Sequence, residues 1–189
     1  AGTTPMSLRH DPTYVAAEIA VFLRKLSARY GAHQVCTVGK IDVFPNLINV
    51  VAARVTLTLD IRNTDETLLQ RAELEVAAFL KDIASTEGVT VTTKKLARFE
   101  PVEFDSRVIE IIEQISLDLG NTTQRMPSGA GHDAQMLARV CPTAMIFVPS
   151  VDGISHNAAE HTNTDDLVAG ANILLHAMLT LCTTDFAKV

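Results

Sequence analysis

The clearest structural signal in the chain is Val55-Thr56-Leu57-Thr58-Leu59-Asp60-Ile61-Arg62, residues 55–62. Apolar and polar side chains alternate along its whole length, which is the period of a strand with one buried face. Arg62 falls on the polar face, at the end of this segment. We therefore predict a half-buried strand whose last residue carries a guanidinium on the exposed side of a sheet.

Ahead of this strand the sequence favours a helix and a further strand. Asp11 suits an N-cap and Pro12 the first helical position, and Gly31 is placed to end the helix. The residues expected to form its apolar face recur at helical spacing: Val15, Ile19, Phe22 and Leu26. We predict the further strand over residues 35–43.

Beyond residue 62 a second helix and a third strand are expected. The helix should begin near Asn63 or Thr64, since Asn63 and Glu66 have the spacing of a capping box, and should stop at Gly88. The third strand is predicted over 89–96. Residues 1–98 thus follow the order α-β-β-α-β. One more strand ahead of residue 1 would complete a ferredoxin-like split βαβ domain, so we expect the chain to be a fragment that begins inside this domain.

Residues 99–189 show a different α/β pattern. We expect a helix capped by Asp105, a short helix near His132, a buried strand over 143–148 and a buried last helix from Thr164, with His176 as a core histidine. One strand cannot form a stable sheet, so this region should need strands from elsewhere. The predicted fold class is α/β, with domains at 1–98 and 99–189.

Composition narrows the function classes. The net charge of −6 and the absence of a basic cluster argue against nucleic acid and against an anionic membrane surface as partners. No uninterrupted apolar run approaches the ~20 residues of a membrane helix. Cys36, Cys141 and Cys182 are widely spaced and form no CxxC pair. This pattern fits buried thiols in a reducing compartment, the cytoplasm, better than a disulfide framework.

Two histidines lie on glycine-containing loops. Residues 128–133 read Ser-Gly-Ala-Gly-His-Asp, and residues 152–156 read Asp-Gly-Ile-Ser-His. His156 is a candidate metal ligand, because histidine is the commonest one, or a loop histidine bonded to backbone. His132 either offers a binding loop at a helix N-terminus or simply starts that helix after a glycine turn.

Arg62 and Asn49 flank the strand of residues 55–62. A guanidinium and a carboxamide together suit a carboxylate ligand, because arginine can bind both carboxylate oxygens at once. The alternative is that Arg62 pairs with Asp60 or with a neighbouring strand.

Several motifs together resemble one enzyme family. They are Ala1-Gly2-Thr3-Thr4-Pro5-Met6 with Arg9-His10-Asp11, Val38-Gly39-Lys40-Ile41, the segment from Asn49 to Arg62, and the loops 128–133 and 153–156. In this order they resemble the hydantoinase/carbamoylase group of M20-type binuclear metal amidohydrolases, over the whole chain. That group includes N-carbamoyl-L-amino acid hydrolases, allantoate amidohydrolases and β-ureidopropionases.

The resemblance implies a role for each candidate residue. His156 would bind one of two divalent ions, zinc, manganese, nickel or cobalt, and Gly131 and His132 would contact substrate. Asn49 and Arg62 would grip the substrate carboxylate in the partner subunit's active site of a homodimer. Residues 1–98 would be a nearly complete lid and dimerisation domain, and 99–189 the C-terminal part of the catalytic domain.

The catalytic glutamate, the other metal ligands and a histidine just before Ala1 would lie in an N-terminal half outside this sequence. No catalytic residue is therefore expected in this chain, and we expect the chain alone to be inactive. The implied reaction is cleavage of the ureido C–N bond of an N-carbamoyl-L-amino acid or allantoate, with release of ammonia, and of CO2 from carbamoyl substrates. The alternatives are an M20 aminoacylase or dipeptidase, and a dimerisation module without catalytic activity.

Overall fold

The computed structural model describes residues 1–184, which divide into two compact units, Ala1–Pro101 and a second unit that begins at Val102. The first unit contains, in order, α1 (Pro12–Tyr30), β1 (Val35–Phe44), β2 (Arg54–Arg62) and α2 (Glu66–Glu87), preceded by a 3-10 turn at Met6–Leu8. The second contains α3 (Ser106–Asp118), α4 (Asp133–Leu137), a 3-10 turn at Val151–Gly153 and α5 (Thr164–Thr183).

The first helix agrees with the sequence prediction at both ends. The Asp11 carboxylate accepts hydrogen bonds from the backbone N–H groups of Thr13, at 2.8 Å, and Tyr14, at 3.4 Å. Pro12 is the first helical residue, and Gly31 ends the helix with a φ of 88°. The cap satisfies donors that the helix itself leaves unpaired, so local chemistry alone fixes the start of α1.

The two strands form an antiparallel hairpin whose register runs from Val35 opposite Arg62 to Phe44 opposite Arg54. A register shift between Val38 and Lys40 marks a bulge in β1. The apolar side chains of the hairpin face the helices, and those packed against the core are Cys36, Val38, Leu57, Leu59 and Ile61. The predicted strand over residues 55–62 and its half-buried character are confirmed.

The second helix begins later than predicted. Asp65, rather than Asn63, is its N-cap, and its carboxylate accepts from Leu68 N at 2.9 Å. The predicted capping box between Asn63 and Glu66 is therefore wrong. The side chain of Asn63 is instead buried, where it donates to Gln34 Oε1 at 2.9 Å.

The core of the first unit lies between the two helices and the inner face of the hairpin. The buried members are Val15, Ile19, Leu23, Leu26, Ala72, Val76, Leu80 and Ile83. The rings of Phe22 and Phe79 stack beside them with centroids 4.0 Å apart. Both helices thus contribute one apolar stripe each, and the stripe of α1 contains Val15, Ile19 and Leu26 as its periodicity predicted.

The third strand predicted over 89–96 is wrong. In the part of the chain that the structure describes, β1 and β2 make the only sheet. Val89 and Val91 still pack against the core. In a split βαβ sheet the last strand pairs with the first, and residues 1–11 supply a 3-10 turn rather than a strand. An apolar segment without a neighbour can pack but cannot form a ladder.

The helices of the second unit start where the sequence predicted them. Asp105 caps α3 through bonds from Arg107 N at 2.9 Å and Val108 N at 3.3 Å. His132 precedes α4, and α5 begins at Thr164. Helices α3 and α5 pack against each other.

The predicted burial in this unit is wrong in three places. Cys141 and Cys182 are exposed rather than buried thiols. Residues 143–148 form no strand, and Phe147 is 52% exposed. Within α5 the buried residues are Ile173 and Ala177, and His176 is exposed rather than a core histidine. The helix is apolar on most of its circumference, but within the described residues of this unit only part of it is covered, by α3 and by Val148 against Gly170, which explains the difference.

By length and composition alone, α5 would be long and apolar enough to cross a membrane, with a mean hydropathy of 1.4. Core helices of soluble proteins meet the same criterion, so α5 by itself decides nothing about a membrane.

Candidate functional site

Arg62 lies at the end of β2 on the polar face, as the alternation predicted. Its guanidinium donates from Nε to Asp60 Oδ1 at 2.9 Å and from Nη2 to Asp60 Oδ2 at 2.6 Å. The alternative pairing with Asp60 is thus the one the structure contains. Both side chains are about half exposed, 48% each, and Arg62 holds the pKa of the Asp60 carboxyl below its usual range through these bonds.

Asn49 lies in the exposed loop 45–53 that joins the two strands. Its carbonyl accepts from Gly2 N at 2.8 Å. The Arg9 guanidinium donates to Gly2 O at 2.7 Å and to Thr4 O at 2.9 Å, so it fastens the first residues in place. A Cβ at Gly2 would lie 2.6 Å from Asn49 O, and this close approach therefore requires glycine.

The structure does not bring Asn49 and Arg62 together within one chain. Loop 45–53 joins the strands at the Arg54 end of β2, whereas Arg62 is at the other end. A strand rises about 3.3 Å per residue, so the two ends of β2 lie about 26 Å apart. The length of α1 gives a similar separation. Asn49 bonds to Gly2, ahead of the start of α1, and Arg62 bonds to Gln34, just after its end. The 19 residues of this helix span about 28 Å.

His132 is the N-cap of α4. Its Nδ1 accepts a hydrogen bond from Ala134 N at 3.0 Å, which places the proton of the neutral ring on Nε2. The exposed imidazole therefore offers an Nε2–H donor in a fixed orientation. Gly131 immediately precedes it and is exposed, with no atom within 4 Å of an added Cβ.

His156 sits in a loop held by three hydrogen bonds. Its backbone has a left-handed φ of 54°, and its N–H donates to Glu160 Oε2 at 2.8 Å. Val151 N donates to His161 O at 2.8 Å, and Ser150 Oγ donates to Ile154 O. A positive φ at a residue other than glycine persists only where neighbouring contacts impose it. These contacts fix the backbone that carries the imidazole.

The described residues do not by themselves fit a pair of metal ions. Within residues 1–184, no three His, Cys, Asp or Glu side chains are grouped so as to hold a metal. His156 offers one exposed imidazole, and a catalytic zinc site uses three protein ligands. Any dinuclear centre must therefore take most of its ligands from other residues.

Sequence reasoning missed several residues that support these candidates. Gln34, Arg9 and Glu160 each bond to the backbone of a candidate residue or of its neighbours. A side chain that bonds to backbone across 28 residues leaves no periodicity or short motif. Glu160 lies four residues after His156, but this spacing alone does not show that its carboxylate accepts the His156 N–H.

Comparison with known proteins confirms the resemblance. An N-carbamoyl-L-amino acid amidohydrolase of Geobacillus stearothermophilus is 38% identical over 178 residues, 94% of this chain and 43% of that protein. An allantoate amidohydrolase of Escherichia coli is 36% identical over 174 residues, 92% of this chain and 42% of that protein. The chain thus spans less than half the length of these curated relatives.

Solved structures agree. A hydantoinase/carbamoylase-family amidase from Burkholderia vietnamiensis has a TM-score of 0.89 at 35% identity, over 95% of this chain and 43% of that one. A dinuclear metal binding M20 peptidase from Bacillus subtilis has a TM-score of 0.65 at 16% identity, over 92% of this chain and 47% of that one, and shares the fold alone. The model of peptidase family M20/M25/M40 matches residues 9–180, and the chain belongs to this family.

Proposed function

We propose that this chain is the C-terminal part of a metal-dependent amidohydrolase that cleaves the ureido C–N bond of an N-carbamoyl-L-amino acid or of allantoate. Ammonia would be released, together with CO2 from carbamoyl substrates. The names of the two curated relatives support this substrate class. The observation that carries the proposal is the position of Arg62, half exposed on the polar face at the end of β2, in a chain whose curated relatives are amidohydrolases of this class.

Arg62 would bind the carboxylate that all these substrates share. Its guanidinium already holds the Asp60 carboxylate through two parallel bonds, the geometry by which arginine recognises carboxylates. A substrate carboxylate would use the same planar group of donors. Specificity for acids over their amides would then come from a fixed cation at the end of β2.

His132 would donate from Nε2 to a substrate oxygen. Because Nδ1 is occupied by Ala134 N–H, the ring cannot turn without losing its cap, and the donor is oriented before substrate arrives. Gly131 beside it leaves room for a ligand close to the backbone.

His156 would be one ligand of a pair of divalent metals, in a loop held by its N–H bond to Glu160 and by the bond from Ser150 to Ile154. Such metals would supply an activated water and stabilisation of the oxyanion. We propose that the remaining ligands and the general base belong to an upstream part of the catalytic domain. The 189-residue chain alone would then be inactive.

We also propose a homodimer formed through the first unit. Asn49 and Arg62 lie at opposite ends of β2, so one small substrate can touch both only if they come from two protomers. The separation contradicts the implied joint grip, in which Asn49 and Arg62 of one lid would both bind the same carboxylate. We propose instead that Arg62 and Asn49 at one site come from different subunits.

The exposed apolar side of α5 is proposed to pack against the upstream part of the catalytic domain. Leu167, Leu174, Leu175 and Met178 are each more than half exposed on this helix. Covering them would remove apolar surface from water, which is favourable at about 25 cal/mol per Å². We propose further that the protein is cytoplasmic and has neither nucleic acid nor a membrane as partner, in keeping with its net charge of −6 and its widely spaced cysteines.

The test joins the 189-residue chain to the upstream segment of its Geobacillus relative, loads the product with zinc, manganese, nickel or cobalt, and measures ammonia release. The panel contains N-carbamoyl amino acids and allantoate, with N-acetyl amino acids and dipeptides as the competing class. Ammonia from ureido substrates, with little cleavage of the others, supports the proposal. Cleavage confined to acyl or peptide bonds would overturn it in favour of an aminoacylase or dipeptidase.

A further inference from the structure

We propose that Gln34 and Asn63 are positioning residues that fix Arg62 at the end of β2, and so help to set the preference for carboxylate substrates. The second half of this inference rests on the proposed function, and the first half stands on geometry alone. Arg62 is exposed, but the groups behind its backbone are not: Gln34 is 2% exposed and Asn63 is 8% exposed.

The two side chains form a small buried network around the backbone of Arg62. Gln34 Nε2 donates to Arg62 O at 3.0 Å and, more weakly, to Val35 O at 3.3 Å. Gln34 Oε1 accepts from Asn63 Nδ2 at 2.9 Å. Asn63 Oδ1 accepts from Asp65 N at 2.9 Å. Each of these amide groups has a partner, and a satisfied buried network is rigid because an unpaired group there would be costly.

This network ties the end of the sheet to both helices. The pair Val35 and Arg62 is the last in the hairpin register, so no further pair lies beyond it. Gln34 O accepts from Ser27 Oγ on α1 at 2.7 Å, and Asp65 is the N-cap of α2. Through Gln34 and Asn63, hydrogen bonds therefore connect the backbone of Arg62 to α1, β1 and α2.

Fixing this backbone also fixes where the guanidinium can reach. Asp60 and Arg62 are two residues apart on β2, and their bidentate bond requires the two side chains to leave the same face in parallel. A bond with two contacts is sensitive to small rotations of either residue. A loosened Arg62 backbone would therefore weaken the grip on Asp60, and equally the grip on a substrate carboxylate.

A purely structural role for Gln34 is the competing explanation, and the Asp60 carboxyl distinguishes the two. Arg62 lowers the pKa of Asp60, while burial and, less strongly, the charge of Asp60 raise the pKa of the Cys36 thiol on β1. If Gln34 only adds stability, a variant that still folds keeps the Asp60–Arg62 bond and the low pKa. If Gln34 positions Arg62, the pKa of Asp60 rises toward the usual ~3.9.

The experiment uses the 189-residue chain labelled with ¹³C and ¹⁵N. The Asp60 carboxyl shift is followed with pH, and the exchange rate of Arg62 Nε–H is measured, in wild type, Gln34→Met and Asn63→Asp. Gln70→Met is the matched control. Gln70 is an exposed glutamine of the same unit, and its side chain donates to Glu66, one turn earlier on α2. Amide exchange of Leu23 and Leu26 in the core reports whether each variant is folded.

We expect the pKa of Asp60 to rise and Arg62 Nε–H to exchange at least tenfold faster in Gln34→Met, with no change in Gln70→Met. Asn63→Asp keeps the acceptor for Asp65 N–H but cannot donate to Gln34, so it decides the matter if Gln34→Met does not fold. An unchanged Asp60 pKa and an unchanged Arg62 exchange rate in a folded variant would overturn the inference.

A second arm separates this inference from the proposed function. In the active protein that carries the upstream segment, kcat/KM is measured for N-carbamoylglycine and for its amide. If Arg62→Ala lowers the ratio of kcat/KM for the acid to that for the amide, and Gln34→Met lowers this ratio measurably but by less, both the proposed function and the positioning role are supported. If Arg62→Ala leaves the preference unchanged, the proposed function fails. If only Arg62→Ala changes it, the positioning role fails.

Discussion

Replacing Gly88 by alanine tests how the two helices of the first unit are joined. Gly88 ends α2 with a left-handed φ of 67°, and its N–H donates to Ala84 O. The His10 ring lies over it, and His10 Nδ1–H donates to Glu87 O at 2.8 Å. An added Cβ would lie 2.6 Å from His10 Nδ1 and 2.8 Å from its Cε1, so the ring must move.

The cost has two parts. An L-residue in the left-handed region costs roughly 1–2 kcal/mol. Moving the ring forfeits a hydrogen bond worth about 0.5–1.5 kcal/mol. We therefore expect Gly88→Ala to lower the free energy of unfolding of the first unit by about 2–3 kcal/mol. With a denaturant slope of about 1–2 kcal/mol per M, the urea midpoint falls by about 1–3 M.

The assay is urea unfolding followed by tyrosine emission. The chain has two tyrosines and no tryptophan, and both tyrosines lie on α1, so the signal reports the first unit. The control is Gly88→Ala in a His10→Ala background, where the ring is gone and only the backbone cost of roughly 1–2 kcal/mol should remain. Equal costs in the two backgrounds would refute the reasoning, because the His10 contact would then contribute nothing.

Two further predictions concern the remaining side chains. Burial raises the pKa of the Cys36 thiol, whereas Cys141 is exposed. Iodoacetamide at pH 8 should therefore alkylate Cys141 at least tenfold faster than Cys36. Equal alkylation rates of the two thiols, measured by mass spectrometry, would contradict this. Glu160→Ala should speed amide exchange of His156 at least tenfold, because the carboxylate accepts that N–H, while Glu160→Gln keeps an acceptor and should change little. Similar exchange in wild type and Glu160→Ala would mean that the loop is held without Glu160.

The parts of the fold that the sequence predicted are those with local causes. The Asp11-Pro12 start of α1 and the Asp105 start of α3 follow from capping chemistry that involves only neighbouring residues. The alternation over 55–62 likewise requires a single buried face. None of these features needs information about distant parts of the chain.

The wrong predictions concern segments whose structure depends on residues far away in the sequence. Residues 89–96 and 143–148 are apolar enough for strands, yet a strand exists only beside another strand. The burial predicted for α5 failed for the same reason, since an apolar helix is buried only where something covers it. Asn63 was interpreted as a cap because its buried partner, Gln34, lies 29 residues away.

The candidate site shows the same division. Arg62 was placed correctly on the polar face, and its pairing with Asp60 was foreseen as an alternative. Its distance from Asn49 was not foreseen, because a separation of thirteen residues can be short or long depending on whether the chain turns. The extended run of β2 makes it long.

The most direct test of the central claim compares Arg62→Ala and Arg71→Ala in the active protein, using N-carbamoylglycine and its amide. Arg71 is an exposed arginine of the same unit on α2, so it controls for loss of surface charge. A charged hydrogen bond contributes about 1.5–3 kcal/mol, so Arg62→Ala should lower kcat/KM for the acid by about 10- to 150-fold and leave the amide nearly unchanged. Equal losses for acid and amide, or an equal effect of Arg71→Ala, would contradict the assignment of Arg62 as the residue that binds the substrate carboxylate.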